Sequence, residues 1–444
     1  MKKLIFLLCM GASIANGVGV NNEISSDFLE LENKMSVVNV VNTDTSKSPT
    51  IEEIIKNKEP ELKKDSSYYV LNKNFAYYKG SKPMRDITRI VFTNTAPKSY
   101  DEKWYANEKK TEDVVGYRKG TEVYIVGEHI YLNPYSNYMF AAQNSEGAPL
   151  WKNLKSIEGL NFVNTSKVRS TMLMFYKNLN IKELDLNMWD MSNVETTSFM
   201  FAGCLNLEKL YIDKWDVGKV KDFSAMFQGT SHKGDMKLKY LDVSKWDTSS
   251  AENMSHVFYG CANLEYIDVS NWDVRKVFNF SHMFSDCFKL KELDLSKWET
   301  LSVVSFDAFL NDCRSLTVVD VSNLETSTCM QFSQMFEACV NLEKIIGIEN
   351  WDVSNASHYA FSETFHCCYK LKDLNLSSWK TEKADNYARM FAECRSLTEL
   401  DLSNFGYSNL KFVTEMFKGC VNLKDIKGID TWVLNNVKGS DSMY

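Results

Sequence analysis

Apolar positions in the last two thirds of the chain follow two alternating rhythms. In Leu290-Lys-Glu-Leu293-Asp294-Leu295, Leu293 and Leu295 share one side while Glu292, Asp294 and Ser296 share the other. That two-residue alternation is the pattern of a strand with one buried face. Just upstream, Val277, Phe280, Met283, Phe284 and Cys287 are spaced by three and four, the stripe of an amphipathic helix. Each unit is thus predicted to be a strand, a turn and a short helix. Asp273 or a nearby Ser stands where such a helix would begin and favours its N-terminus. Gly203, Gly229, Gly260 and Gly419 stand where it would turn out.

The pair of rhythms repeats. Cys261-Ala-Asn-Leu264-Glu-Tyr-Ile267-Asp268-Val269-Ser270-Asn-Trp272-Asp273 returns 26 residues later as Cys287-Phe-Lys-Leu290-Lys-Glu-Leu293-Asp294-Leu295-Ser296-Lys-Trp298-Glu299. One column holds Trp at 189, 215, 246, 272, 298, 351, 379 and 432, with Leu324 and Phe405 in its gaps. Another holds Phe at 175, 201, 227, 258, 284, 336, 365, 391 and 417, with Leu310 once and Tyr444 last. The insertion from His232 to Met236 and the stretch Ile345-Ile346-Gly347 account for longer steps. One unit cannot bury both stripes, but stacked units make a continuous core. The expected fold is an α/β repeat solenoid of about eleven coils over residues 141–444, the last coil left part-way.

The first 140 residues differ in character. Met1-Lys2-Lys3, the apolar run Leu4 to Met10 and the small residues Ser13 and Ala15 form an export leader, expected to be cut after Ala15. The apolar run is too short to span a bilayer. A lipid anchor on Cys9 is disfavoured by Leu8, where a small residue is expected. Residues 16–75, rich in Asn, Ser, Lys and Glu, are expected to form a flexible stalk. Ile87-x-x-Ile90-Val-Phe92 and Glu122 to Val126 are strand-like, with a turn at Lys119-Gly120. They predict a β-rich cap over residues 76–140, covering one end of the stack.

Composition narrows the function classes. Lys+Arg 51 against Asp+Glu 58 leaves a net charge of -7, which argues against binding a phosphate backbone. Six histidines give little material for a metal site or a triad. No G-x-S-x-G, H-E-x-x-H or phosphate loop occurs, so no enzymatic activity, cofactor or resident metal is expected.

The pattern C-x-N-L-x-x-L-D-[LV]-S-x-W-[DE] followed by F-x-x-M-F resembles the BspA-type surface proteins, a leucine-rich-repeat family of bacteria, including mycoplasmas, and of some protozoan parasites. Val114-Val115-Gly116-Tyr117 to Tyr124-Ile125-Val126, and Asn133-Pro134 to Tyr138-Met139-Phe140, are similar to the family's lead-in. The resemblance covers roughly residues 85–444. It implies an exported leucine-rich-repeat solenoid, secreted or held at a cell surface, that attaches to host or neighbouring cells. It carries over no catalytic residue.

Constant columns are expected to be architecture and varied columns recognition. The cysteines at 204, 261, 287, 313, 339, 368, 394 and 420 lie on the apolar stripe and are expected to form a buried thiol ladder. Equivalent positions on stacked strands are about 4.8 Å apart, too far for the Cβ spacing of a disulfide. Cys329 belongs with the core, and Cys367 stands without a column. Two acidic columns, one including Asp242, Asp268 and Asp294, the other Asp216, Asp247 and Asp273, are expected to serve turns and helix ends rather than calcium. His256 and His282 share a column with Ala225, Gln334, Glu363, Arg389 and Glu415, expected to be exposed.

The varied column on the strand face is the candidate binding surface. It holds Glu183, Lys209, Tyr240, Tyr266, Glu292, Val318, Lys344, Asp373 and Glu399, and continues to Asp425. Tyr240 and Tyr266 adjoin, and tyrosine is enriched at interface hot spots. The expected partner is a protein or another cell-surface or matrix macromolecule, not nucleic acid. Self-association into a coat is the rival expectation.

Overall fold

A computed structural model of the chain describes residues 70–72, 84–144, 147–230, 236–435 and 437–444. The export leader and nearly all of the stalk lie outside these residues. Val70 and Leu71 are packed: Leu71 is buried, and its amide donates to the Tyr131 carbonyl.

The chain enters through strands β1 (Arg89–Thr93), β2 (Glu102–Tyr105), β3 (Val115–Lys119) and β4 (Glu122–Val126). After β5 (Ile130–Tyr131) come β6 (Ser156–Glu158) and β7 (Val163–Asn164), which pairs parallel with β5, and the sheet order is β2-β3-β4-β1-β6. β2, β3 and β4 form an antiparallel meander, whereas β1 runs parallel to both β4 and β6. The strand-like runs of the cap are therefore strands. The sheet also recruits β6, beyond the boundary expected at residue 140. Phe92 and Phe140 pack edge to face, and Phe140 stacks on Phe175, which begins the repeat's aromatic column. Cap and repeat thus share one core.

The remainder is a stack of coils held by two parallel ladders. The strand ladder pairs β8 (Glu183–Asp185) with β9 (Lys209–Tyr211), β10 (Val318–Asp320) with β11 (Lys344–Ile346), and β12 (Glu399–Asp401) with β13 (Asp425–Lys427). Single bridges add Tyr240 to Tyr266 and Lys344 to Asp373. Leu184, Leu210, Val319, Ile345 and Leu400 point inward from the strand centres and are buried, as the alternation requires.

The second ladder corrects the predicted helix. Among the described residues there is no α-helix. The stretch expected to be helical is a ribbon of turns with two kinds of amide. Leu173, Phe175 and Lys177 donate to Ser198, Met200 and Ala202 of the next coil, at 3.0, 2.8 and 2.8 Å. Met174, Tyr176 and Asn178 donate back three residues within the coil, at 3.0, 3.1 and 3.1 Å. Such a ribbon needs left-handed residues, and Leu173 (φ 59°) and Lys177 (φ 56°) supply them. The same pair of positions recurs as His282 and Asp286, Ala308 and Asp312, Glu363 and Cys367, and Arg389 and Glu393. Gly203, Gly260 and Gly419, read from the sequence as helix ends, hold the second of these positions. So does Cys367, which therefore has a column after all. Each non-glycine residue there bears a conformational cost of about 1–3 kcal/mol, offset by main-chain bonds made to a neighbouring coil.

Aromatic and polar columns close each coil against the one before. Trp215, Trp272 and Trp298 donate their indole N–H to Leu186, Val243 and Val269 one coil earlier, at 2.8, 3.1 and 2.9 Å. Phe175, Phe201, Phe227, Phe258 and Phe284 stack in series, with centroids 5.3–5.6 Å apart. Asn206, Asn341 and Asn422 donate side-chain bonds to main-chain carbonyls of the preceding coil.

The longer coil at Gly347 shows how an insertion is absorbed. Gly347 is left-handed (φ 85°) and opens a 3-10 turn, Ile348–Asn350, that buries Ile348. A Cβ on Gly347 would sit 2.3 Å from Ser322 Cα. Gly347→Ala is therefore expected to cost at least about 1–3 kcal/mol, read as a lower thermal midpoint. Gly120→Ala, also left-handed but with nothing within 4 Å of its Cβ, should cost only about 1 kcal/mol.

Candidate functional site

The strand ladder fixes where the varied column lies. In β8, β9 and β10 the central residue is buried, so the residue before it must project from the opposite face. Glu183, Lys209, Tyr240, Tyr266, Glu292, Val318, Lys344, Asp373, Glu399 and Asp425 are all exposed. The parallel register sets Glu183 beside Lys209, Tyr240 beside Tyr266, Lys344 between Val318 and Asp373, and Glu399 beside Asp425. The column is thus one row running along the stack.

Its large apolar side chains lie in the middle coils, with Glu292 between Tyr266 and Val318. Tyr240 and Tyr266 are 64% and 52% exposed, and Val318 is 44% exposed. Tyr211, 40% exposed, reaches the same face one coil before Tyr240 from the neighbouring acidic column. The sequence carried this clue: Tyr211 and Ile346 replace an aspartate there without disturbing the repeat. Acidic residues outnumber basic ones in the row, with Glu183, Glu292, Asp373, Glu399 and Asp425 against Lys209 and Lys344. The Lys209–Glu183 pair, at 3.4 Å and exposed on both sides, contributes at most about 1 kcal/mol.

The acidic columns serve turns. Asp242 and Asp294 each accept the amide and the hydroxyl of the serine two residues on, at 3.1 and 2.7 Å and at 2.9 and 2.6 Å. Those serine bonds hold the Asp242, Asp294 and Asp401 carboxyls below their ordinary range. In the second column Asp216, Asp247 and Asp352 accept the amide two residues on. They close turns, and no helix follows them.

Histidine placement departs from expectation. His282 is buried, stacked on His256 at 4.6 Å, with its Nε2 3.5 Å from Asp307 Oδ2. The column read as exposed is the first left-handed position of the ribbon: Ala225 and His282 are buried there, His256, Gln334, Glu363 and Glu415 are half-buried, and Arg389 is exposed. Burial, reinforced by His282, pushes His256 well below the ordinary imidazole value, so it stays neutral. Among the described residues no group of three or more His, Cys, Asp or Glu is placed to hold a metal ion.

The thiol column forms a ladder. Cys204, Cys287, Cys313 and Cys394 each donate to the carbonyl of a Phe one coil earlier, at 3.0–3.2 Å. All the described cysteines are free. No helix of the described residues is long and apolar enough to cross a membrane.

No curated protein matches the chain. Among solved structures, it is similar to a leucine-rich repeat protein from Eubacterium ventriosum, with 12% identity, 73% of this chain and 84% of that chain covered, and a TM-score of 0.32. It is also similar to TLR13 in a complex with ssRNA13, at 14% identity, 68% and 50% coverage and a TM-score of 0.22. A third is the functional domain of InlJ from Listeria monocytogenes, at 16% identity, 59% and 60% coverage and a TM-score of 0.16. The repeat architecture described above rests on this chain's own ladders rather than on these likenesses. The family model described as "Mycoplasma protein of unknown function, DUF285" matches residues 147–239, 231–347 and 341–444. Those matches run the length of the coil stack, and the chain belongs to that family.

Proposed function

We propose that this is an exported, non-enzymatic repeat protein that binds another macromolecule through its strand face. The role would be attachment to host or neighbouring cells, as the resemblance to BspA-type leucine-rich-repeat surface proteins implies. The observation that carries the reading is the adjacent pair Tyr240 and Tyr266, bridged in the strand ladder and more than half exposed. Nothing in the coil's own packing calls for them, since the inward positions are filled by Leu241 and Ile267. Large aromatic side chains lose little freedom on binding and anchor interfaces. The acidic flanks of the row would then set partner choice more than affinity.

The test is a titration of the full chain over immobilised matrix proteins and intact candidate host cells, beside a Tyr240→Ala/Tyr266→Ala variant. Saturable binding weakened at least about tenfold by the double change, with the melt unaltered, is the expected result. Saturable binding indifferent to it moves recognition off this face. Absence of binding, with self-association rising with concentration, points instead to a structural coat.

A further inference from the structure

Three neighbouring coils depart from the repeat together. The first left-handed position of the ribbon holds Ala225, His256, His282, Ala308 and Gln334 on successive coils. The position just before it is Ser198, Ser224, Ser255, Ser281 and Ser333, but Asp307 in the coil after His282. The two histidines and the aspartate of these columns thus stand together, with alanine on either side of the histidines.

Both histidines lie on bonds that join coils. The His256 amide donates to Ser281 O at 2.9 Å, and the His282 amide donates to Asp307 O at 2.8 Å. The side chains make a second contact over the same rungs. The His256 and His282 rings stack at 4.6 Å, and Tyr259 meets both edge-on at 5.6 and 6.0 Å. His282 Nε2 lies 3.5 Å from Asp307 Oδ2, and both residues are buried. Among the described residues no hydrogen bond reaches His256 Nδ1 or either ring nitrogen of His282. The carboxylates paired with histidines go to His282, His358 and His366, and none goes to His256.

A proton on His256 would therefore bring an uncompensated charge into the stack, beside a second imidazole that already faces a carboxylate. Burial first and His282 second hold His256 well below the ordinary imidazole value. Around the stack the titratable groups are Tyr259 on the first coil, Asp286 on the second, buried at its other left-handed position, and Asp307 on the third. Ala225 and Ala308 occupy the histidine column on the flanking coils.

We propose that His256, His282 and Asp307 form an acid-sensitive latch on the turn ribbon, which holds three successive coils together at neutral pH and lets the ribbon open locally as the solution turns acidic. The open ribbon takes up a proton on His256 that the closed ribbon excludes. Above about 6.5, the ordinary imidazole value, neither form carries that proton and the latch is intact. Below it only the open form does, so opening gains about tenfold per pH unit, roughly twentyfold from pH 7 to pH 5. Ordinary carboxylates protonate near about 4, below this window. Tyr266 lies on the chain between the two histidines, so the coil that the latch secures carries one of the strand-face tyrosines. The latch needs no ligand, and its test is independent of strand-face recognition.

Amide exchange of the full chain is followed by peptide mass at about pH 7 and about pH 5. Each rate is divided by the intrinsic rate at that pH, which gives an opening constant. Peptides carrying the ribbon at 254–260 and 280–286 are expected to open roughly ten- to twentyfold more at the lower pH, with 172–178 unchanged. His256→Gln takes the residue of Gln334, and His256→Ala that of Ala225. In both the rise should fall below about threefold, with cooperative melts retained at neutral pH. An undiminished rise in either folded variant, a rise shared equally by 172–178, or no rise in the parent overturns the proposal. Should one variant lose its cooperative melt, the other decides. Should both, Asp307→Ser decides: it restores the residue of its column and strips the carboxylate from His282. A steeper rise is then expected, and an unaltered one overturns the proposal.

Discussion

Raising the pH from neutral to about 10 is expected to unfold the coil stack under reducing conditions. Burial pushes the Cys204 and Cys339 thiols up to about 12. It pushes Cys261, Cys287, Cys313, Cys368 and Cys394 well above the ordinary range. In the unfolded chain the same thiols ionise near 8.5. Below that value both states hold the proton and the ladder's stability is intact. Above it the unfolded chain releases protons that the folded chain keeps, so stability falls as pH climbs toward the folded values. Each thiol then loses about 1.4 kcal/mol per pH unit. The ladder together loses on the order of 10 kcal/mol one unit above the unfolded value, comparable with the whole stability of a domain. Thermal melts across this range check the effect. A Cys287→Ala/Cys313→Ala/Cys339→Ala variant should lose stability about 4 kcal/mol per pH unit less steeply. Parallel pH slopes for the two proteins would contradict the thiol origin of the effect.

Trp298→Ala is expected to cost about 3–5 kcal/mol. Its ring is fully buried and stacks on Phe280 at 5.3 Å, and its indole N–H donates to Val269 O at 2.9 Å. Truncation opens a cavity and removes one of the two hydrogen bonds to that carbonyl, which keeps the Trp272 amide, at the same contact between coils. Because coils in a stack touch only their neighbours, the damage should centre on the two coils that meet there. Trp298→Phe keeps most of the ring and loses one hydrogen bond, worth about 1 kcal/mol. Denaturant midpoints for the two variants, with amide exchange along the chain, give the comparison. A Trp298→Ala cost below that of Trp298→Phe would show that the tryptophan column does not hold the coils together.

The repeat was legible because its constant columns are the contacts between coils. The Trp, Phe and Cys columns carry the same side chain into the same site one coil on, and periodicity alone reveals that. The helix was misread for a physical reason. A ribbon of turns that each close over three residues presents a given side every three to four positions, so Val277, Phe280 and Phe284 look like a helical stripe. The discriminating mark was glycine at 203, 260 and 419, since a left-handed residue inside each unit is incompatible with a helix. The substitutes at those positions, Asp286, Asp312, Cys367 and Glu393, hid the column. His282 was misplaced by the same error, because a helix has an outer face where this ribbon has a packed ladder. The strand-face row needed only a period of two, and its residues are all exposed on the strands. Tyr211 was passed over because it stands in a column that is otherwise aspartate.

The proposed binding role rests on the strand-face tyrosines, and a comparison matched for residue type tests it most directly. Tyr359 is 45% exposed, close to Tyr266, and stacks on Phe412 in the turn ribbon rather than joining the strand ladder. Binding to a responsive cell or matrix protein would be titrated for Tyr240→Ala/Tyr266→Ala and for Tyr359→Ala side by side. At least about a tenfold loss is expected for the pair, with an affinity within about twofold of the parent for Tyr359→Ala. Equal losses in both, or a loss confined to Tyr359→Ala, would contradict recognition by the strand face.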